Sequence, residues 1–166
     1  FGIQPFQQFD PSLRDRQLAD AFESAANDSS ARIITLRGEG QDFAAGNDLE
    51  DFLKFRPEDD TEIPVWRVLR ALVSCQTPVV AAVHGNCVGI GTTMLLHCDL
   101  VIADPSARFS LPFVDLGLVP EAASSLLFPR LVGPQRAAAH LILGEPFDAQ
   151  TALAYGVIGG IVGEEQ

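Results

Sequence analysis

Apolar residues recur along this chain with two different periods, and the switching between them predicts the elements. Leu18, Ala21, Phe22 and Ala25 fall three or four apart behind Asp10-Pro11, an N-cap followed by proline at the first helical position. That spacing predicts a helix of about four turns. The run Arg32–Arg37 is short and β-branched and stops at Gly38-Glu39-Gly40, as a buried strand does. Asp48–Leu53 reads as a short helical turn, and the acidic stretch 56–62 reads as a solvated loop. Val65, Leu69, Leu72 and Val73 make the stripe of a second helix that ends at Thr77-Pro78. Val79–Val83 is an unbroken apolar strand. Thr92–His97 predicts a buried helix, and Leu100–Ala103 and Arg108–Leu111 predict two more strands. Helical segments around Ala122–Leu131, Gln135–Leu143 and Ala149–Tyr155 precede a last strand at Val157–Val162. Strands alternating with helices over short connections predict an α/β fold with largely parallel pairing.

At 166 residues, with 47% of them hydrophobic, the chain suits one domain with a core that needs no staples. No apolar run approaches the roughly 20 residues that span a bilayer. The first residues carry no basic start or apolar stretch of a signal peptide, and a cytoplasmic location is the expectation. The three cysteines, Cys75, Cys87 and Cys98, have no CxxC spacing, so buried free thiols are expected rather than disulfides or a metal site. His97 beside Cys98 does not alter this, since adjacent side chains rarely converge on one ion. The net charge of −11, with Lys54 the sole lysine, argues against nucleic acid as a partner. A small anion can still be held by local backbone amides.

Two loops offer such amides. His84–Gly91 lies between a predicted strand and a predicted helix, and its glycines allow backbone to approach a ligand closely. Nucleotide readings fail there: Gly89-Ile90-Gly91 lacks the third glycine of GxGxxG, no GKS or GKT follows, and no acid lies about 20 residues on. Asp42–Leu49 repeats the arrangement, with Gly46 ahead of a short helix. Two helix N-termini whose amides converge make an oxyanion hole, in which each donor is worth about 3 kcal/mol to a transition state.

Phe43-Ala44-Ala45-Gly46-Asn47-Asp48-Leu49, the loop from His84 to Gly91, and Cys98-Asp99 together resemble the crotonase (enoyl-CoA hydratase/isomerase) family. Phe109–Glu121, Pro129–Gly133 and Leu143–Phe147 continue the resemblance, which runs from about Asp10 onward and is closest to the 3-enoyl-CoA isomerase-like branch. It implies a spiral of ββα units forming a single domain over residues 1–166, without the C-terminal helices that members usually carry. It also implies the backbone N–H groups of Asn47 and Ile90 as oxyanion donors. Ala45, Asn47, Asp48, Leu49, Gly89, Gly91 and Phe113 become substrate-binding positions. The implied partner is an acyl-CoA thioester, with coenzyme A part of the substrate and no separate cofactor or metal. Homotrimers or dimers of trimers are the implied assembly.

Hydratases of the family use two glutamates, and their positions here hold Thr93 and Phe113, neither of which can act as a carboxylate base. Pro120-Glu121 matches the place from which the peroxisomal-type 3-enoyl-CoA isomerases project a single acid, although a first-turn acid at a helix N-terminus is the plain alternative. The resemblance therefore favours 3-enoyl-CoA to 2-enoyl-CoA isomerisation with Glu121 as acid and base. If Asp115 faces the pocket, a hydratase variant using Asp115 and Glu121 becomes available; a surface aspartate is the competing reading. A thioester hydrolase and a non-catalytic acyl-CoA-binding protein are the remaining alternatives. Ser110 and Ser124 could serve the former, but no GxSxG elbow is present. His84 reads as a structural residue, and Trp66 and Phe113 as acyl-pocket walls or core.

Overall fold

In the computed structural model, which describes residues 11–46 and 64–163, the apolar runs become short strands with helices laid across them. Helix α1 (Pro11–Asn27) turns Leu18, Ala19, Phe22 and Ala25 inward. It packs on α2 (Pro64–Ser74), whose buried stripe is Val65, Val68, Leu69 and Leu72. The short turn at 48–53 and the acidic loop at 56–62 lie outside the described residues.

Between and after these helices run β1 (Ile34–Arg37), β2 (Val79–Val83), β3 (Asn86–Val88), β4 (Leu100–Ala103), β5 (Arg108–Ser110), β6 (Phe147–Asp148) and β7 (Gly160–Ile161). One sheet has the order β1-β2-β4-β7 and is parallel throughout, with Ile34 opposite Val79, Ala81 opposite Val101 and Ala103 opposite Ile161. The second has the order β3-β5-β6, in which β3 and β5 are parallel and β6 is antiparallel. β2 and β4 of the first sheet are thus each followed at once by a strand of the second, and then by helix. β2 and β3 lead into α3 (Ile90–Thr93) and a 3-10 turn (Met94–His97), while β4 and β5 lead to α4 (Ser124–Val132). Behind β1, Ala44 forms an isolated parallel bridge with Cys87 of β3, a one-residue version of the same step.

Helix α5 (Pro134–Leu141) and α6 (Ala149–Tyr155) close the far end over an aromatic cluster. Phe109 stacks on Phe147 at 5.2 Å, and Phe128, His140 and Tyr155 surround them. Phe22, Ile34, Leu36, Phe43, Val68, Phe109 and Phe128 sit at the centre, each at most 1% exposed.

The helix expected over Thr92–His97 starts earlier and changes type part-way. Gly89 caps it with a positive φ of 55°, and α3 gives way to the 3-10 turn after one turn. β3 and β6 escape hydrophobic periodicity because three or two residues contain no full alternation. The last strand is shorter than Val157–Val162, since Gly159-Gly160 adds no side chain to pack. Trp66, weighed as a pocket wall or core residue, is 54% exposed on α2. Only Cys87 of the three free thiols is fully buried; Cys75 and Cys98 are half-buried.

Gly85, in the turn from β2 to β3, has a φ of 56°, and a Cβ there would sit 1.9 Å from the carbonyl oxygen of Gln41. Gly40 has a φ of 76° but faces open space. Gly40→Ala should therefore cost about 1–2 kcal/mol, the left-handed backbone penalty alone. Gly85→Ala adds a clash with main chain that cannot rotate away, and should lower the urea midpoint well beyond the Gly40 variant. Equal midpoints would show that the 42–46 segment is free to move off β3.

Candidate active site

Two segments far apart in sequence are laced together by main chain where α3 begins. The Phe43 amide donates to the carbonyls of His84 (2.9 Å) and Asn86 (3.0 Å), and the Ala44 amide donates to Asn86 (3.0 Å). In return the Val88 amide donates to the Ala44 carbonyl at 2.9 Å. Asp42 Oδ1 accepts from the amide and the side-chain nitrogen of Asn86 at 2.7 and 2.8 Å. A Cβ on Gly91 would come within 2.7 Å of the Ala44 methyl, so glycine is what lets the loops close to this distance. Gly46, with a φ of 89°, lies against the Val88 carbonyl, 3.4 Å from where its own Cβ would be. The sequence-predicted loops are therefore neighbours.

α3 presents its first amides at this junction. The Gly89 amide donates to the Ser110 carbonyl at 3.0 Å, and the Gly89 carbonyl accepts from Thr92 and Thr93. Helix geometry leaves the next N–H groups, those of Ile90 and Gly91, without an intrahelical acceptor. Ile90 and Gly91 are buried, Gly89 is half-buried and Ala45 is exposed. Thr92 anchors the turn by donating its hydroxyl to the Cys87 carbonyl, at 2.5 Å. The other expected donor, Asn47, lies outside the described residues, as do Asp48 and Leu49.

One turn along α3 stands Thr93, fully buried, whose Oγ1 donates to Oε1 of Glu121 at 2.6 Å. Thr93 Oγ1 also lies 3.4 Å from the Ile90 carbonyl, so the carboxyl is tethered to the first turn of α3. Oε2 of Glu121 is buried and has no hydrogen-bond partner among the described residues. Burial pushes the Glu121 carboxyl above its ordinary value, and the Thr93 hydrogen bond pulls the other way. A part-buried acid whose second oxygen is buried without a partner among the described residues is a candidate for proton exchange with a bound molecule.

The backbone behind Glu121 is strained to keep it there. Ala122 and Ala123 both have a φ of 52°, a left-handed conformation that costs an alanine about 1–2 kcal/mol. The Ser124 amide and hydroxyl both donate to the Glu121 carbonyl, and Nε2 of His97 donates to the Ala122 carbonyl at 2.8 Å. Ser124 is fully buried in that role, so the turn is fixed from both sides.

Phe113, expected at the acyl site, is 6% exposed and part of the core cluster. Asp115 is on an exposed turn, its Oδ2 facing Gly144. His84 bonds the Gly40 carbonyl through Nε2 at 3.1 Å, a structural contact. Burial pushes the Cys87 thiol up to about 12, so it is no nucleophile. Among the described residues no three His, Cys, Asp or Glu side chains gather as metal ligands, and no helix is long and apolar enough to cross a membrane. Sequence reasoning treated Thr93 only as the loss of a glutamate. The signal for its role was its i+3 spacing from Ile90, which places both residues on one helix face.

The strand–strand–helix units β2-β3-α3 and β4-β5-α4, joined at the start of α3, define an α/β class built from repeated ββα units. Residues 9–166 match the family described as enoyl-CoA hydratase/isomerase, and the chain belongs to that family. It is 36% identical over 155 residues to 1,2-epoxyphenylacetyl-CoA isomerase of Escherichia coli K12, covering 90% of this chain and 59% of that protein. It is 36% identical over 143 residues to the mouse peroxisomal enoyl-CoA delta isomerase 3, covering 83% of this chain and 45% of the relative. A solved enoyl-CoA hydratase/isomerase from Pseudoalteromonas atlantica T6c superimposes with a TM-score of 0.86 at 42% identity, over 93% of this chain and 60% of that one. The fold is therefore the crotonase fold, and the chain spans about half to three-fifths of the length of these relatives.

The raised pKa of Glu121 carries a stability consequence. Its folded value lies above the unfolded one, so ionisation costs the folded state at pH above the folded value. That cost disappears as the pH falls below the ordinary value of 4.5. Glu121→Gln should raise Tm at pH 8 and lose the advantage in melts at or below pH 4.5. A Tm difference that is flat across that range would show that the carboxyl is not held in a desolvated place.

Proposed function

We propose that this protein isomerises 3-enoyl-CoA thioesters to 2-enoyl-CoA thioesters, with Glu121 as the single acid and base. The observation that carries the reading is the Glu121 carboxyl, bare at one oxygen and held at the other by Thr93, which itself stands one turn along α3 from Ile90. The carboxylate takes a proton from C2 of the substrate, and the C–H electrons move toward the thioester carbonyl to give a dienolate. The Ile90 amide, with that of Asn47, stabilises the oxygen on which negative charge collects. The protonated Glu121 then returns its proton to C4, leaving the double bond between C2 and C3. One group serves both transfers, so no water is added and no separate cofactor is required; coenzyme A arrives as part of the substrate.

Thr93 and Phe113 support isomerisation over hydration, because neither can share the protons of an attacking water. Similar proteins include an enoyl-CoA delta isomerase and enoyl-CoA hydratases at comparable identity, so the choice rests on these residues. Ala45, Asp48, Leu49, Gly89, Gly91 and Phe113 belong to the proposed acyl-CoA channel. The homotrimer or dimer of trimers and the cytoplasmic location are part of this proposal. Asp115 enters it only as an assisting group, and its exposed position beside Gly144 gives a hydratase variant no added support.

The full-length protein should convert 3-enoyl-CoA to 2-enoyl-CoA much faster than it hydrates crotonyl-CoA, both followed by thioester absorbance and product chromatography. Glu121→Gln should lower kcat for isomerisation by about 10²–10⁴-fold, whereas Asp115→Asn should change it less than about threefold. Isomerisation undiminished in the Glu121 variant would sink the assignment.

A further inference from the structure

The two oxygens of the Glu121 carboxyl have different surroundings, and one hydroxyl makes them different. Thr93 Oγ1 carries a single proton and faces two acceptors, Oε1 of Glu121 at 2.6 Å and the Ile90 carbonyl at 3.4 Å. Thr93 is 0% exposed, so water does not compete for that proton. The nearer acceptor is also the one that becomes charged, and a hydrogen bond to a charged group is about twice as strong as a neutral one. Oε2 is left buried with no partner among the described residues.

We propose that Thr93 is a positioning residue that fixes Oε1 of Glu121 and so assigns proton transfer to Oε2. This rests on the isomerase reading and extends it from a residue to an atom. With Oε1 tethered, the carboxyl cannot spin about its Cγ–Cδ bond without losing the bond, and Oε2 stays the oxygen left without a protein partner among the described residues. A base that removes a proton at C2 and returns it at C4 needs such a constraint, because the same oxygen must reach both carbons while its proton is held. The tether also opposes burial: desolvation raises the carboxyl above its ordinary value, and the Thr93 hydrogen bond lowers it. Among the described residues, the neighbouring titratable groups are otherwise engaged or exposed. His97 is bound to the Ala122 carbonyl, the Cys87 and Cys98 thiols are pushed up to about 12 by burial, and Arg130 is exposed on α4. The position at which the resemblance places a hydratase's first glutamate thus supplies a hydroxyl that orients Glu121.

The test compares Thr93→Val, Thr93→Ala and Thr93→Ser in the full-length protein with wild type and Glu121→Gln. Two readouts are used: kcat and KM for 3-enoyl-CoA across pH, and the carboxyl ¹³C titration of Glu121, which needs no turnover. Loss of the hydroxyl in the Val and Ala variants should lower kcat about 10- to 100-fold with KM nearly unchanged. The acid limb of the rate profile and the ¹³C midpoint should both move to higher pH. Serine should restore both. Should the Val variant fail to fold, Ala and Ser carry the comparison. A wild-type kcat and unmoved midpoint in a folded Thr93→Val or Thr93→Ala protein, with Glu121→Gln inactive, would overturn the role of Thr93 and leave the isomerase standing. Full activity in Glu121→Gln would instead remove the isomerase reading, and the catalytic role of Thr93 with it.

Discussion

The close approach of two main-chain segments, residues 42–46 and 84–91, is the constraint on which the rest of the site depends. Reciprocal hydrogen bonds between Ala44, Asn86 and Val88 hold it, and the missing Cβ atoms of Gly85 and Gly91 make it sterically possible. α3 then begins at Ile90, just after Gly89, whose amide is committed to Ser110 on the neighbouring strand. The next amides, at Ile90 and Gly91, are then left without an intrahelical acceptor. The same packing buries Thr92 and Thr93, and so decides which side chains lie behind the amides.

The carboxyl is delivered from the other direction at an energetic cost. Glu121 is followed by two alanines in left-handed conformation, and its side chain is partly desolvated with an unpaired oxygen. None of these features helps the chain fold, and each would be relieved by a glycine, a shift of the turn or a neutral side chain. They persist because Ser124 and His97 fasten the turn, and because the aromatic cluster under α4 and α5 anchors the chain on its C-terminal side. Local strain supported by a rigid surround is how a reactive group is kept in a place it would otherwise leave.

Much of this was legible in the residues. The stripe on α1 and α2, the runs at Val79–Val83 and Leu100–Ala103, and the alternation of strands with helices announced an α/β fold because burial imposes those periods directly. β3 and β6 were illegible for the same reason, being too short to hold a period. The glycine-bearing loops marked the junction, and Glu121 stood out as the acid after Pro120. Thr93 was read as an absence, because a sequence reports what a side chain is and not what it meets 28 positions away. The oxyanion donors assigned from resemblance divide in the same way: Ile90 can be followed into α3, whereas Asn47 lies outside the described residues.

The sequence by itself determined the longer strands, the helix stripes and the family, since these arise from local pattern and residue chemistry. Only the tertiary structure decided that Ala44 and Cys87 are neighbours, that Thr93 grips one oxygen of Glu121 and leaves the other bare, and that Asp115 sits on an outer turn. The physical reason is that protonation and orientation depend on burial and on partners brought in by chain crossings, and neither is written in the order of the residues.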